Sequence, residues 1–191
     1  MKGLENFPKV RDVILNKNEI KEITNLGLLI ELKGLGLENN KISVISGLES
    51  KSLRGINLGK NRIKEIQGLD SLVGLESLGL SYNRIATISG LDKLSNLGYL
   101  NLAGNQIKTI SCLYCLTNLT ELYLSENQLT EIKGLDKLKN LQRLELNNNK
   151  ISIVQGLKKL KNLYYINLSG NPIEGHDLSN YKGEYWVELC K

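Results

Sequence analysis

The chain has 191 residues, a formal net charge of +5 and 41% hydrophobic residues, values of an ordinary soluble protein and far from the basic extreme of a dedicated nucleic-acid binder. Aromatic residues make up only 5%, so leucine and isoleucine carry the core. No apolar run approaches the ~18 residues that span a bilayer, MKGLENFPKV holds no apolar leader segment, and three cysteines are an odd number for a disulfide scaffold, which together predict an intracellular, reduced protein without a membrane span.

In chain order, the first unit starts at Gly3-Leu4 and places Leu4, Phe7, Val10 and Val13 at repeat positions with no unit before them. Charged neighbours such as Arg11 and Asp12 are expected to protect this edge, and docking of a second copy is the sharper alternative. From there asparagines recur as Asn18, Asn40, Asn61, Asn83, Asn105, Asn127, Asn149 and Asn171, at intervals of 22, 21, 22, 22, 22, 22 and 22 residues. One copy reads LGLSYNRIATISGLDKL and the next LNLAGNQIKTISCLYCL. A period of this size is one supersecondary unit stacked on itself, in which each coil touches only its neighbours.

Counted from each asparagine, apolar residues fall at −8, −5, −3, +2, +5 and +8; for Asn105 these are Leu97, Leu100, Leu102, Ile107, Ile110 and Leu113. The pair at −5 and −3 predicts the inward side of a short strand, and the step of three residues beyond +5 predicts a 3₁₀ or short helical turn. The asparagines are read as structural, because an amide supplies both donors and an acceptor for turn backbone that no sheet partner satisfies. Glycine at +7 (Gly47, Gly68, Gly90, Gly134, Gly156) predicts a turn with positive φ; Asn25 suits that slot in the first unit, and Cys112 suits it less well.

The outward strand positions divide the chain into two halves. Units two to four present Gly34, Gly36, Gly55, Gly59, Ser77, Gly79 and Ser81, a nearly bald strip that either admits a partner's backbone closely or goes unused. Units five to eight present Tyr99, Glu121, Tyr123, Arg143, Glu145 and Tyr165. Tyrosines with a few charges offer large contact area, few rotors and a polar tip, so these six are the candidate partner-binding residues. A column at +1 (Lys41, Arg62, Arg84, Gln106, Gln128, Lys150) and the turn lysines Lys137, Lys139, Lys158, Lys159 and Lys161 read as a solvated face, with acidic partners as the alternative.

Reaction chemistry finds little support. Cys112 and Cys115 in SCLYCL lack the βαβ setting of a redox pair, and no second pair exists to complete a zinc site. With His176 as the single histidine, no nucleophile–base pair is visible, and no glycine-rich phosphate loop precedes a helix. We expect no catalytic residue, no cofactor and no metal. The last stretch, NPIEGHDLSNYKGEYWVELCK, divides the chain into a solenoid (1–173) and an abbreviated cap (174–191), with Asp177 or Ser179 capping a short helix and Trp186 covering the last coil.

The phrase LxxLxLxxNxIxxIxGLxxL resembles the leucine-rich repeat, in the 22-residue glycine-bearing variant typified by the regulatory subunit of type-1 protein phosphatase, over about residues 3–173. The variant also occurs in the axonemal dynein light chain, the spliceosomal A-prime protein and bacterial internalins. The resemblance implies an α/β repeat solenoid: a curved coil with a concave parallel β-sheet, convex 3₁₀ or short helical turns, eight repeats and a short C-terminal cap. It implies a non-catalytic scaffold that binds another protein on its concave face. A phosphatase-regulator-like adaptor for a phosphatase catalytic subunit is the first reading, with a cytoplasmic, nuclear or axonemal placement. The alternatives are a dynein-light-chain-like adaptor for a cytoskeletal motor and a structural part of an RNA-protein assembly. Of the acidic and aromatic −4 residues of the phosphatase regulator, only Tyr123 and Glu145 have counterparts here. Nucleic acid is the weakest partner, since nothing resembles an RNA-recognition motif.

Overall fold

One inward apolar residue between two outward ones gives each unit a three-residue strand. A computed structural model describes residues 3–173 and the backbone of Trp186–Glu188. The strands are β1 (Asp12–Ile14), β2 (Gly34–Gly36), β3 (Gly55–Asn57), β4 (Ser77–Gly79), β5 (Tyr99–Asn101), β6 (Glu121–Tyr123), β7 (Arg143–Glu145), β8 (Tyr165–Asn167) and β9 (Trp186–Glu188). All pair in parallel and in chain order within one sheet. The register follows the repeat, so Leu78 faces Leu100 and Leu100 faces Leu122 on the inner side. Beyond each strand the ladder continues into the turn: Leu102 N–H donates to Tyr123 O at 2.8 Å and Gly104 N–H to Ser125 O at 2.9 Å.

A single continuous core fills the coil, with Leu97, Leu100, Leu102, Ile107 and Leu113 all buried. On the convex side Leu94 N–H donates to Leu91 O at 3.0 Å and Leu97 N–H to Leu94 O at 2.9 Å. These are the i→i+3 bonds of a 3₁₀ turn, made one at a time, because burying every third leucine turns the chain too tightly for an α-helix. Among the described residues the one helix is the 3₁₀ segment Leu4–Asn6, so the convex side consists of turns. The residue missing from the 21-residue unit is missing from this turn, between Leu48 and Leu53. There Ser50 takes the leucine's buried place and donates to Leu29 O at 3.2 Å.

Each ladder asparagine joins two coils. Asn105 Nδ2 donates to Leu80 O of the preceding coil at 3.0 Å and to Leu102 O of its own at 2.9 Å, while Oδ1 accepts from Ile85 N–H at 3.0 Å. Asn61, Asn83, Asn127 and Asn149 repeat the pattern in the core. Asn40 and Asn171 repeat it nearer the ends. Asn18, in the first described unit, is exposed and donates within its own unit to Leu15 and Asn16.

The turn at +7 is left-handed throughout. A Cβ on Gly90 would lie 2.3 Å from Ile66 O, and Asn25 and Cys112 occupy the same slot at φ 63 and 54. A second left-handed column stands immediately before the asparagines: Lys17, Asn39, Lys60, Tyr82, Gly104, Glu126, Asn148 and Gly170, with φ between 52 and 67. This bend ends the strand and turns the asparagine inward. β9 carries the sheet one strand beyond the eighth asparagine unit, pairing Ile166 with Val187. The expected cap features Asp177 and Ser179, and the packing of the Trp186 side chain, lie outside the described residues.

Candidate protein-binding surface

The register sets the outward residues of β5–β8 side by side at the spacing of sheet strands, ~4.8 Å, so long side chains on neighbouring strands must touch. Tyr99 and Tyr123 meet with ring centroids 5.2 Å apart and planes tilted by 44°. Tyr123 donates its hydroxyl to Glu121 Oε2 at 2.6 Å, and Asn101 Nδ2 donates to the Tyr99 hydroxyl at 3.2 Å. The Arg143 guanidinium lies 3.9 Å from the Tyr165 ring centroid and 5.8 Å from that of Tyr123, and donates to Glu145 Oε1 at 2.5 Å. The six candidate residues are thus one connected platform.

Its electrostatics follow from enclosure. Burial first, and the bond to Glu121 next, hold the Tyr123 phenol far above its ordinary value, so it stays a donor. Burial opposes the charge on Arg143, but the Glu145 carboxylate more than offsets this and holds the guanidinium above its ordinary range. Arg143 Nε is buried without a hydrogen-bond partner, consistent with a guanidinium seated over an aromatic face. Glu145 is 8% exposed, so its carboxylate faces Arg143 rather than solvent. The face offered outward consists of the three half-buried tyrosines, Glu121 and the edge of Arg143.

The bald half is a trough of about 610 Å³ whose floor includes Gly34, Gly36, Gly55 and Gly79. Asp12 and Ile14 stand at one end, Tyr99 and Asn101 at the other. On its rim Glu38 pairs with Lys60 at 2.7 Å, and that contact holds the Glu38 carboxyl below the usual carboxylate range. At the outward positions six, four and two residues before each ladder asparagine, the carboxylates are Asp12, Glu38, Glu121 and Glu145 and the cation is Arg143, and the bend that follows adds Lys17, Lys60 and Glu126. Among the described residues the concave side of this chain of net charge +5 is therefore acidic in balance, and most lysines stand outside its outward strand positions.

Several of those cations are ion-paired at the surface: Lys41 with Glu19, Arg54 with Glu76 at 3.5 Å, and Lys159 with Asp136 at 3.5 Å. Exposed pairs of this kind contribute little, about 0–1 kcal/mol each. On the convex side, a second asparagine set ties coil to coil: Asn96, Asn140 and Asn162 donate to Val73, Thr117 and Lys139 carbonyls, each at 2.9 Å. The phrases LSNL and LKNL signal this set in the sequence, through an asparagine framed by buried leucines. Cys112 is exposed and Cys115 half-buried, both as free thiols. Among the described residues no helix is long and apolar enough to cross a membrane, and no cluster of histidine, cysteine or acidic residues is placed to hold a metal.

A family model described as leucine-rich repeats (two copies) matches residues 73–115, 117–158 and 139–183. No curated protein matches. Among solved structures, internalin C2 of Listeria monocytogenes str. 4b F2365 superposes with a TM-score of 0.86 at 30% identity, over 94% of this chain and 80% of its own. Internalin InlF of the same strain gives 0.71 at 26% identity, over 96% of this chain and 62% of its own. The functional domain of InlJ from Listeria monocytogenes, which includes a cysteine ladder, gives 0.64 at 16% identity, over 97% of this chain and 51% of its own, and shares the fold alone. Asparagine ladder, parallel concave sheet, family match and internalin likeness agree: the chain belongs to the leucine-rich-repeat family.

Proposed function

We propose that this chain is a non-catalytic scaffold that binds another protein through the C-terminal half of its concave face, with Tyr99, Glu121, Tyr123, Arg143 and Tyr165 as the contact residues. The observation that carries this is the Arg143–Tyr165 stack continued by the Tyr99–Tyr123 pair. Tyrosine and arginine dominate interface energetics, and side chains already held by neighbours lose little entropy on docking. Glu145 acts from beneath, by holding Arg143 in place. The acidic balance of the concave side favours a partner with a basic docking segment.

A phosphatase catalytic subunit, with this chain as its regulator-like adaptor, is the first specific partner to test, and the likeness rests on few positions. Of the two matching positions, Glu145 is closed off by Arg143, which leaves Tyr123 as the accessible one. A cytoplasmic placement, favoured by the odd cysteine count, belongs to the same proposal.

Affinity purification from the source cell tests the surface. The wild type is compared with Tyr99→Ala/Glu121→Lys on the concave side and with Lys161→Glu on the convex side, all with matched melting temperatures. The partner is expected to be lost with the concave pair and retained with the convex change. Retention by both variants would overturn the concave assignment.

A further inference from the structure

Three residues past each ladder asparagine, the flank of the coil carries Lys21, Ser43, Lys64, Ala86, Lys108, Thr130 and Ser152 in successive units. Ala86 places a methyl group where the coils before and after it carry lysines. Beside Ala86 lies a hollow of about 420 Å³, open to solvent and lined by exposed residues: the two cations Lys64 and Arg84, the hydroxyls of Thr87 and Ser89, the Gln106 amide and one carboxylate, Glu65. Lys64 and Arg84 are exposed and, like Lys21, Arg62 and Lys108 near them, form no ion pair among the described residues.

Two cations beside hydroxyl and amide donors are the recognition set for a tetrahedral oxyanion. The guanidinium binds two oxygens at once and the ammonium serves as a point charge. No aromatic ring lines the hollow, so a nucleobase has nothing to stack on, and the lining includes no large apolar side chain to receive an acyl chain. What fits is a compact anion on a polar stem. We propose that this hollow binds a phosphate monoester carried by a partner protein, a phosphoserine or phosphothreonine side chain, at a site separate from the concave platform. Glu65 weakens the site by its charge, and the two cations outweigh it in favour of the double charge of a phosphomonoester.

The test is an NMR titration of the full chain with a capped phosphoserine peptide, its unphosphorylated counterpart and inorganic phosphate, at constant ionic strength. The readouts are the Ala86 and Thr87 amides and the Arg84 guanidinium. Saturable shifts confined to these groups are expected with the phosphopeptide. Arg84→Ala should weaken binding about tenfold, as the loss of a charge-assisted hydrogen bond does. Ala86→Leu, which fills the hollow without changing charge, should weaken it as much, and Glu65→Gln should tighten it about threefold. Tyr99→Ala and Glu121→Lys should leave it unchanged. Equal shifts with the unphosphorylated peptide, or wild-type binding by Ala86→Leu, would overturn the site in favour of diffuse charge attraction. Saturation by inorganic phosphate but not by the phosphopeptide would overturn the assigned ligand.

Discussion

The phenol of Tyr82 reaches past a whole coil to donate to Glu126 Oε1 at 2.9 Å, and Gly104 between them is what lets it pass. All three occupy the left-handed position before successive ladder asparagines. A Cβ on Gly104 would stand 2.4 Å from Tyr82 Cδ1, at a φ of 66 that already disfavours a side chain. Gly104→Ala should therefore displace the ring and cost about 1–2 kcal/mol in urea unfolding. Unchanged stability would mean that the ring simply swings aside and the backbone carries no strain.

The same contact predicts an alkaline dependence. The bond to Glu126, then burial and the charge of that carboxylate, hold the Tyr82 phenol above its ordinary 10.0. A group with a raised folded pKa stabilises fully below its unfolded value and loses that contribution as pH rises through the folded one. The melting-temperature difference between wild type and Tyr82→Phe should be constant below pH 10 and shrink above it. In Glu126→Gln the phenolate absorbance of Tyr82 should rise at lower pH than in wild type, and coincident titrations would remove Glu126 as the cause.

Removing a ladder amide should cost according to how many coils it joins. Asn105→Ala leaves the buried Ile85 N–H without a partner and takes one of two amide donors from each of the Leu80 and Leu102 carbonyls, so about 1–3 kcal/mol is expected. Asn18→Ala frees the Asn16 carbonyl, which water can reach, and leaves the Leu15 carbonyl bonded to Asn40, so it should cost well under 1 kcal/mol. Denaturant titration of the two variants checks the order, and equal losses would refute coil-to-coil bonding as the ladder's role.

The ladder and the inward leucines are legible in the sequence because the same residue type returns at the same step, and the step is the geometry. The left-handed column before each asparagine is far less so. Gly104, Gly170, Asn39 and Asn148 hint at it, but Lys17, Lys60, Tyr82 and Glu126 carry no such preference and adopt it because the coil above imposes it. At the candidate surface, facing direction follows from alternation, which brings the six platform residues together. The enclosure of Glu145 depends instead on which rotamer Arg143 takes beside Tyr165, a cross-strand fact that single-chain spacing does not contain.

Cys112 tests the other left-handed column. It sits at φ 54 where five other units have glycine, and it is exposed, so its side chain adds strain without adding core. Relief of left-handed strain is worth about 1–2 kcal/mol, and the added freedom of glycine in the unfolded chain costs about 0.5–1 kcal/mol. Cys112→Gly should stabilise by roughly 0.5–1 kcal/mol on this balance, and Cys112→Val, whose branched side chain tolerates the region poorly, should destabilise. Thermal melts under reducing conditions measure both, and a destabilised glycine variant would show that the thiol makes a contact of its own.

The platform's inner ion pair allows the strictest test, because its two halves are unequally buried. The Glu145 side chain is 10% exposed and that of Arg143 34%. Arg143→Met strands a buried carboxylate and should cost about 3 kcal/mol, whereas Glu145→Gln leaves a guanidinium that water can reach at its edge and should cost less. Replacing both, as Arg143→Met/Glu145→Leu, should recover most of the loss, since two apolar groups need no partner. That recovery separates stability from recognition. The double variant should melt near wild type yet fail to hold the partner, because the stack on Tyr165 supplies the rigid contact and the charge. A double variant that folds and still binds would place recognition on the tyrosines alone.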